Sequence, residues 1–262
     1  MTGQTVTAAR FEAACAIARE AGALARTLFE SRTAGTYSLK GHQDFLTEAD
    51  GEVERLIAGR LEARFPEDAF YGEEHGGAFG ARTWIVDPID GTANFARGIA
   101  HFCVSIALVD EGTPTLGVIY HPVLDELFAA RRDAGATLNG KPIRVSGATD
   151  IRQATIELGW SLRRPISAYA EMVARVLATG AGISRCGSGA LGLAYVAAGR
   201  SDGYAELHIN AWDVLAGILI VEEAGGWVND FLANDGLRRG NPVLACTPAL
   251  RPILLDAAGL GR

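Results

Sequence analysis

Asp87 and Asp90 stand three residues apart in Trp84-Ile-Val-Asp-Pro-Ile-Asp-Gly-Thr-Ala-Asn-Phe95. The apolar run Trp84-Ile85-Val86 delivers Asp87 to its end, where Pro88 fixes φ and is expected to close the strand, and Gly91 lets the backbone turn. Two carboxylates projecting from one short turn repel each other unless a cation lies between them, which is the chemistry of hard-metal ligands. Gly91-Thr92-Ala93 follows with backbone N–H groups and a hydroxyl at the opening of a helix, where a phosphate would sit. Glu73 and Glu74, set between glycines just before this stretch, are placed for one glutamate to reach Asp87 across neighbouring strands. Asp213 begins the apolar helix of Asn210-Ala-Trp-Asp-Val-Leu-Ala-Gly217. Alone it would serve the helix dipole. Beside Glu73, Asp87 and Asp90 it completes an oxygen set of the kind magnesium prefers.

A rival reading comes from Gly187-Ser-Gly189-Ala-Leu-Gly192, which fits the glycine pattern of dinucleotide-binding turns. It follows a strand and opens a helix, and Glu206 falls about 20 positions on, as an NAD-binding oxidoreductase would require. Too little chain remains for a second nucleotide-binding half, and small residues also let a strand and helix pack closely. The five histidines, His42, His75, His101, His121 and His208, lack metal spacing, so zinc is not expected. No Gly-x-Ser-x-Gly elbow or Walker loop occurs, which removes serine hydrolases and P-loop NTPases.

The elements that must position these groups read as two kinds of half. Residues 7–30 form an amphipathic helix, and Thr47 with Asp50 resembles a capping box opening a second helix with the stripe Val53, Leu56, Ile57, Leu61 and Phe65. A mostly antiparallel sheet follows, with strands at 102–109, 116–120, 127–130 and 143–145 and a hairpin signal at Asn139-Gly140. Beyond about 150, strands alternate with helices. The fold class is therefore α/β: an α+β half, residues 1–150, that binds metal and phosphate, packed on an α/β half, residues 151–262, that completes the site.

Composition sets the surroundings. At 262 residues, 48% hydrophobic and 21% charged, the chain can bury a substantial core. The formal charge of −7 argues against nucleic acid or an anionic membrane as partner. No apolar run approaches the roughly 18 residues of a membrane span. Four scattered cysteines suit a reducing, cytoplasmic compartment.

The chain resembles the inositol monophosphatases, within the lithium-sensitive, magnesium-dependent phosphatase superfamily. The resemblance rests on Asp44-Phe-Leu-Thr-Glu-Ala-Asp50, Gly72-Glu73-Glu74, Trp84 to Phe95, Gly187-Ser188-Gly189, Glu206 and Trp212-Asp213, in the family's order and approximate spacing. It implies a layered α-β-α-β-α sandwich of the sugar-phosphatase type, a homodimer, and hydrolysis of inositol monophosphate by a metal-activated water. On the order of two or three magnesium ions per active site are implied. Glu73, Asp87, the Ile89 carbonyl, Asp90 and Asp213 would bind them. Glu73 and Thr92, the latter supported by Asp50, would activate the water; Gly91 and Thr92 would hold the phosphate. Gly187, Ser188, Gly189 and Glu206 would meet the alcohol of a phosphorylated polyol, and Glu73, Ile89, Asp90 and Asp213 would share in the substrate site. Related phosphatases acting on fructose 1,6-bisphosphate, histidinol phosphate or a phosphoadenosine nucleotide are the alternative. Gly189 replaces a common alanine and His208 an expected small residue, both on the leaving-group side.

Overall fold

The computed structural model describes residues 3–32, 38–41, 44–46 and 48–260. In chain order the elements are α1 (Gly3–Ser31), β1 (Ser38–Gly41), β2 (Asp44–Leu46), α2 (Glu48–Arg64), β3 (Ala69–Gly72), β4 (Gly76–Gly77), β5 (Arg82–Asp90), α3 (Thr92–Arg97), β6 (Cys103–Asp110) and β7 (Thr113–His121). Then come β8 (Glu126–Arg131), β9 (Ala136–Leu138), β10 (Lys141–Pro142), β11 (Thr155–Leu158), α4 (Ile166–Ala178), β12 (Gly182–Ser184), α5 (Gly189–Ala197) and β13 (Gly203–Ile209). The chain ends with α6 (Ala211–Glu223), β14 (Trp227–Val228), α7 (Gly236–Arg239), β15 (Asn241–Cys246) and α8 (Arg251–Ala258).

These elements stack in five layers, α-β-α-β-α. The first sheet has the order β10-β9-β8-β7-β6-β5-β3-β4, and all its pairs are antiparallel except β3 with β5. Alternation along its strands splits the side chains between two faces. Trp84, Val86, Ile106, Leu108 and Val118 pack under α1 and α2 with Ile17, Val53 and Ile57. Ile85, Ala107, Ile119 and Phe128 turn the other way, onto α5 and α6. Those two helices are apolar nearly all round because a sheet covers each side of them. The second sheet, β12-β11-β13-β15-β14, lies beyond, and α4 and α8 close its far face through Met172, Val176 and Leu254.

Two local expectations change. Pro88 does not end the strand, because β5 runs on to Asp90 through a bulge that leaves the missing N–H out of the ladder. The Asn139-Gly140 turn joins β9 to β10, so residues 143–145 are not its return strand. Ile143 N–H still donates to the Ala136 carbonyl of β9 (3.0 Å), but Val145 N–H donates to the Ala224 carbonyl at the end of α6 (3.1 Å). The second sheet is mixed: β11 runs parallel to β12 and β13, while β15 is antiparallel to both its neighbours. Thr47, and with it the capping-box reading, lies outside the described residues. Among the described residues, no helix is long and apolar enough to cross a membrane.

Candidate active site

In a regular strand Asp87 and Asp90, three residues apart, would point to opposite faces. The register shows why they do not. Asp87 pairs with Ser105 and Asp90 with Cys103, so Pro88 and Ile89 together oppose Val104 alone. The extra residue restores the phase and brings both carboxylates to one side. Ile89 N–H donates to Asp87 Oδ1 (2.9 Å), which fixes that side chain. Gly91 then turns the chain at φ 101°, with the place of a Cβ only 2.9 Å from the His101 carbonyl, so a side chain fits poorly there.

Glu73 arrives from β3, the parallel neighbour of β5, its N–H bonded to the Val86 carbonyl (3.1 Å). Asp213 arrives from the third position of α6, where Oδ2 accepts from Asn210 N–H (3.0 Å). Ligand oxygens of Glu73, Asp87 and Asp213 lie within 4.8 Å of one another. Asp90 stands beside them but is partly engaged. Its Oδ2 accepts from Ser188 Oγ (2.5 Å) and Ala190 N–H (2.7 Å), so it also caps the start of α5. The Thr92 hydroxyl is 3.1 Å from Asp50 Oδ1 and 2.9 Å from the Ile89 carbonyl, and Asp50 is buried.

The electrostatics test whether this set suits a cation. Burial first, and then the charges of Glu73, Asp90 and Asp213, push Asp87 well above the ordinary carboxylate range. Burial and the Asp90 charge raise Asp213 to about 7. Asp90 is raised by burial, while the bonds from Ser188 and Ala190 oppose the shift. Carboxylates crowded and dried to this degree suit a hard divalent cation, which would neutralise them together.

An open cleft of about 1030 Å³ leads to the cluster, lined by Glu73, Asp90, Asp213, Glu206, Trp160 and Arg163 among others. Glu206 is buried rather than solvated. Tyr204 Oη donates to its Oε2 (2.6 Å), and burial raises it to about 8. Gly187 and Ser188 line the same cleft, as does Gly189. The glycine pattern has a packing cause that requires no dinucleotide. A Cβ at Gly189 or Gly192 would strike Ile209 or the Tyr204 ring, at 2.7 and 2.5 Å, and Gly187 meets Asn94.

Three contributing residues were invisible to spacing arguments. Asn94 Nδ2 donates to the carbonyls of His101 (2.8 Å) and Cys186 (2.9 Å), tying the 91–95 turn to the loop before α5. Ser105 Oγ donates to the Trp212 carbonyl (3.1 Å), anchoring α6 next to Asp213. Glu157 accepts from Cys186 N–H (3.1 Å) and holds the same loop from below. Each is a long-range contact with no local signature. Only Asn94, inside the Thr92-Ala-Asn-Phe95 turn, stood in a stretch already singled out.

A five-layer sandwich with carboxylates converging at the foot of a cleft fits a phosphatase. The Inositol monophosphatase family model matches residues 8–255, and the chain belongs to that family. It is 44% identical over 202 residues to a Nus factor SuhB of Xylella fastidiosa, covering 76% of this chain and 74% of that protein. It is 43% identical over 198 residues to an inositol-1-monophosphatase of Rhizobium meliloti, covering 74% of each. The structure superposes on the extragenic suppressor protein SuhB of Bartonella henselae with a TM-score of 0.90 at 38% identity, over 97% of this chain and 100% of that one.

Proposed function

We propose that this protein is a magnesium-dependent phosphomonoesterase acting on a phosphorylated polyol, with inositol monophosphate the leading substrate. The observation that carries the reading is the convergence of Glu73, Asp87 and Asp213 within 4.8 Å, with Asp90 adjoining. Glu73, Asp87, the Ile89 carbonyl, Asp90 and Asp213 would hold the magnesium, which supplies charge neutralisation of the phosphate and an acidified water.

The chain's own groups do the rest. Gly91 and the opening of α3 orient the phosphoryl group. The Thr92 hydroxyl, shared between Asp50 and the Ile89 carbonyl, keeps a lone pair free to receive a proton from the attacking water while passing its own to Asp50. Glu73, across the cluster, orients the same water. On the opposite side Glu206 and the 187–189 loop face the alcohol, so attack and departure lie in line.

Phosphate release from a panel of phosphomonoesters tests this. Activity is expected with magnesium, abolished by EDTA and restored by added magnesium. Full activity in excess EDTA would remove the metal mechanism. Inhibition by lithium and a homodimer are parts of the same proposal that rest on family membership, and a cytoplasmic location rests on the four scattered cysteines. Some relatives carry the name Nus factor SuhB. The formal charge of −7 argues against a direct nucleic-acid contact here, so the hydrolytic reading is preferred.

A further inference from the structure

Glu54, one helical turn beyond Asp50 on α2, keeps its carboxylate buried, at 1% exposure. A charge at that depth is costly unless hydrogen bonds compensate it. The partners come from one turn, the two residues that directly follow Glu73. Oε2 accepts from Glu74 N–H (2.9 Å) and Oε1 from His75 N–H (2.9 Å), while His75 Nδ1 lies 2.7 Å from Oε1. A carboxylate can only accept, so the ring nitrogen carries the proton and three donors meet the two oxygens. Glu54 does not line the cleft.

The turn that carries Glu73 has a short ladder beneath it. It closes a hairpin of two pairs, Tyr71 with Gly77 and Gly72 with Gly76. β4 consists of two glycines, so it brings no side chain to pack under the turn. In front, Glu73 N–H is tied to the Val86 carbonyl (3.1 Å). Behind, the Glu54 carboxylate takes the next two N–H groups. Gly72 is the opening through which it reaches them. The three heavy atoms nearest to a Cβ placed there all belong to Glu54, at 2.3, 2.4 and 2.8 Å. Asp50, four residues earlier on the same face of α2, meets the Thr92 hydroxyl (3.1 Å). One helix thus holds both Glu73 and Thr92, the two groups that flank the attacking water.

We infer that Glu54 is a positioning residue, which clamps the 73–75 turn to α2 and so keeps Glu73 aimed into the metal cluster. This rests on the phosphatase reading and adds to it a residue that acts only through another. The clamp works on backbone N–H groups. It therefore needs the carboxylate at 54 and the missing side chain at 72 more than it needs the side chains of residues 74 and 75.

Calorimetric titration with magnesium alone, without substrate, compares the wild type with E54Q, G72A and L61A. E54Q keeps the shape but accepts through one oxygen only, and its NH2 group faces a backbone donor. G72A strikes the same contact from the strand and serves if E54Q does not fold. L61A removes core packing two turns further along α2, so it lowers stability without touching the turn. The magnesium Kd is expected to rise by about 10- to 100-fold in E54Q and in G72A, the range for groups that orient a metal ligand. L61A should stay within about 3-fold of the wild type, since its site is distant. Amide exchange of the metal-free proteins gives a second measurement. The Glu74 and His75 N–H groups should exchange at least about 10-fold faster in E54Q, with the amides of β6 unchanged, because the loss is local. Unchanged magnesium affinity in E54Q or G72A, or a loss that L61A matches, overturns the inference. So does acceleration in β6 equal to that in the turn, which marks ordinary destabilisation. A wild type that binds no magnesium and releases no phosphate sinks the phosphatase reading instead, and the exchange comparison still decides whether Glu54 holds the turn.

Discussion

Asp87 is the residue on which the cluster's electrostatics turn, because it is buried and faces Glu73, Asp90 and Asp213 at once. Asp87→Asn removes one repelling charge and one ligand. The half-activating magnesium concentration should rise by about 100-fold or more, beyond what losing an outer-sphere contact costs. The metal-free protein should melt no lower than wild type, since the amide oxygen can still accept from Ile89 N–H and one repelling charge is gone. A fall in both metal affinity and metal-free stability would make Asp87 a structural residue instead. Glu206→Gln separates chemistry from selectivity. The amide keeps the shape and can still accept from Tyr204, but it cannot take a charge-assisted bond from a substrate hydroxyl. kcat/KM for inositol phosphates should drop by about 10- to 100-fold, with a small ester lacking neighbouring hydroxyls nearly unaffected. An equal loss on both would place Glu206 among the reacting groups.

At the scale of elements, Asp213 is only as well placed as α6 is. That helix lies against β7 at Gly117, where an added Cβ would fall 2.5 Å from the Ala216 carbonyl oxygen and 2.8 Å from its Cα. Backbone cannot yield as a side chain does, so Gly117→Ala must lift the helix from the sheet. A destabilisation of about 1–3 kcal/mol is expected from overpacking. Turnover should fall as well, because the shifted helix carries a ligand. The urea midpoint and kcat together check this, and an unchanged kcat would show that α6 can move without moving the site. Trp84 to Phe95 and the Asn210 to Gly217 helix could be placed from residue types alone, as local patterns with strong turn and cap signals. The bulge at Pro88-Ile89 could not, because it exists only in the pairing of β5 with β6. The return strand expected at 143–145 failed for the same kind of reason: its apolar residues pack toward α6, a partner some eighty positions away that no local pattern names.

At the scale of the whole molecule, the site is a junction. Asp90 and Asn94 reach residues 186–190, and Ser105 reaches Trp212. We propose on this basis that residues 1–150 and 151–262 act as two halves whose contact assembles the cleft. Metal and proton binding should then be linked to overall stability. Asp213 and Glu206 titrate at about 7 and about 8 in the folded protein. Unfolded carboxyls titrate near ~4. Between these values the folded state holds more protons, so without metal its stability falls as pH rises from about 4 to about 8. Magnesium binds the deprotonated form and should reverse the trend, raising Tm much more at pH 8 than at pH 5. Melting curves in EDTA and in magnesium at both pH values check this. A magnesium effect that does not grow with pH would mean the cluster is not where the ion binds.

The amino-acid sequence by itself determined the carboxylate set, the turn at Gly91 and the opening of α6. These depend on residue type and on spacings of a few positions. Only the tertiary structure decided that Asp87 and Asp90 share a face, that Asp90 also caps α5, and that Glu206 is buried against Tyr204. Each of these is a relation between residues far apart in the chain, created when the layers pack and solvent leaves the space between them.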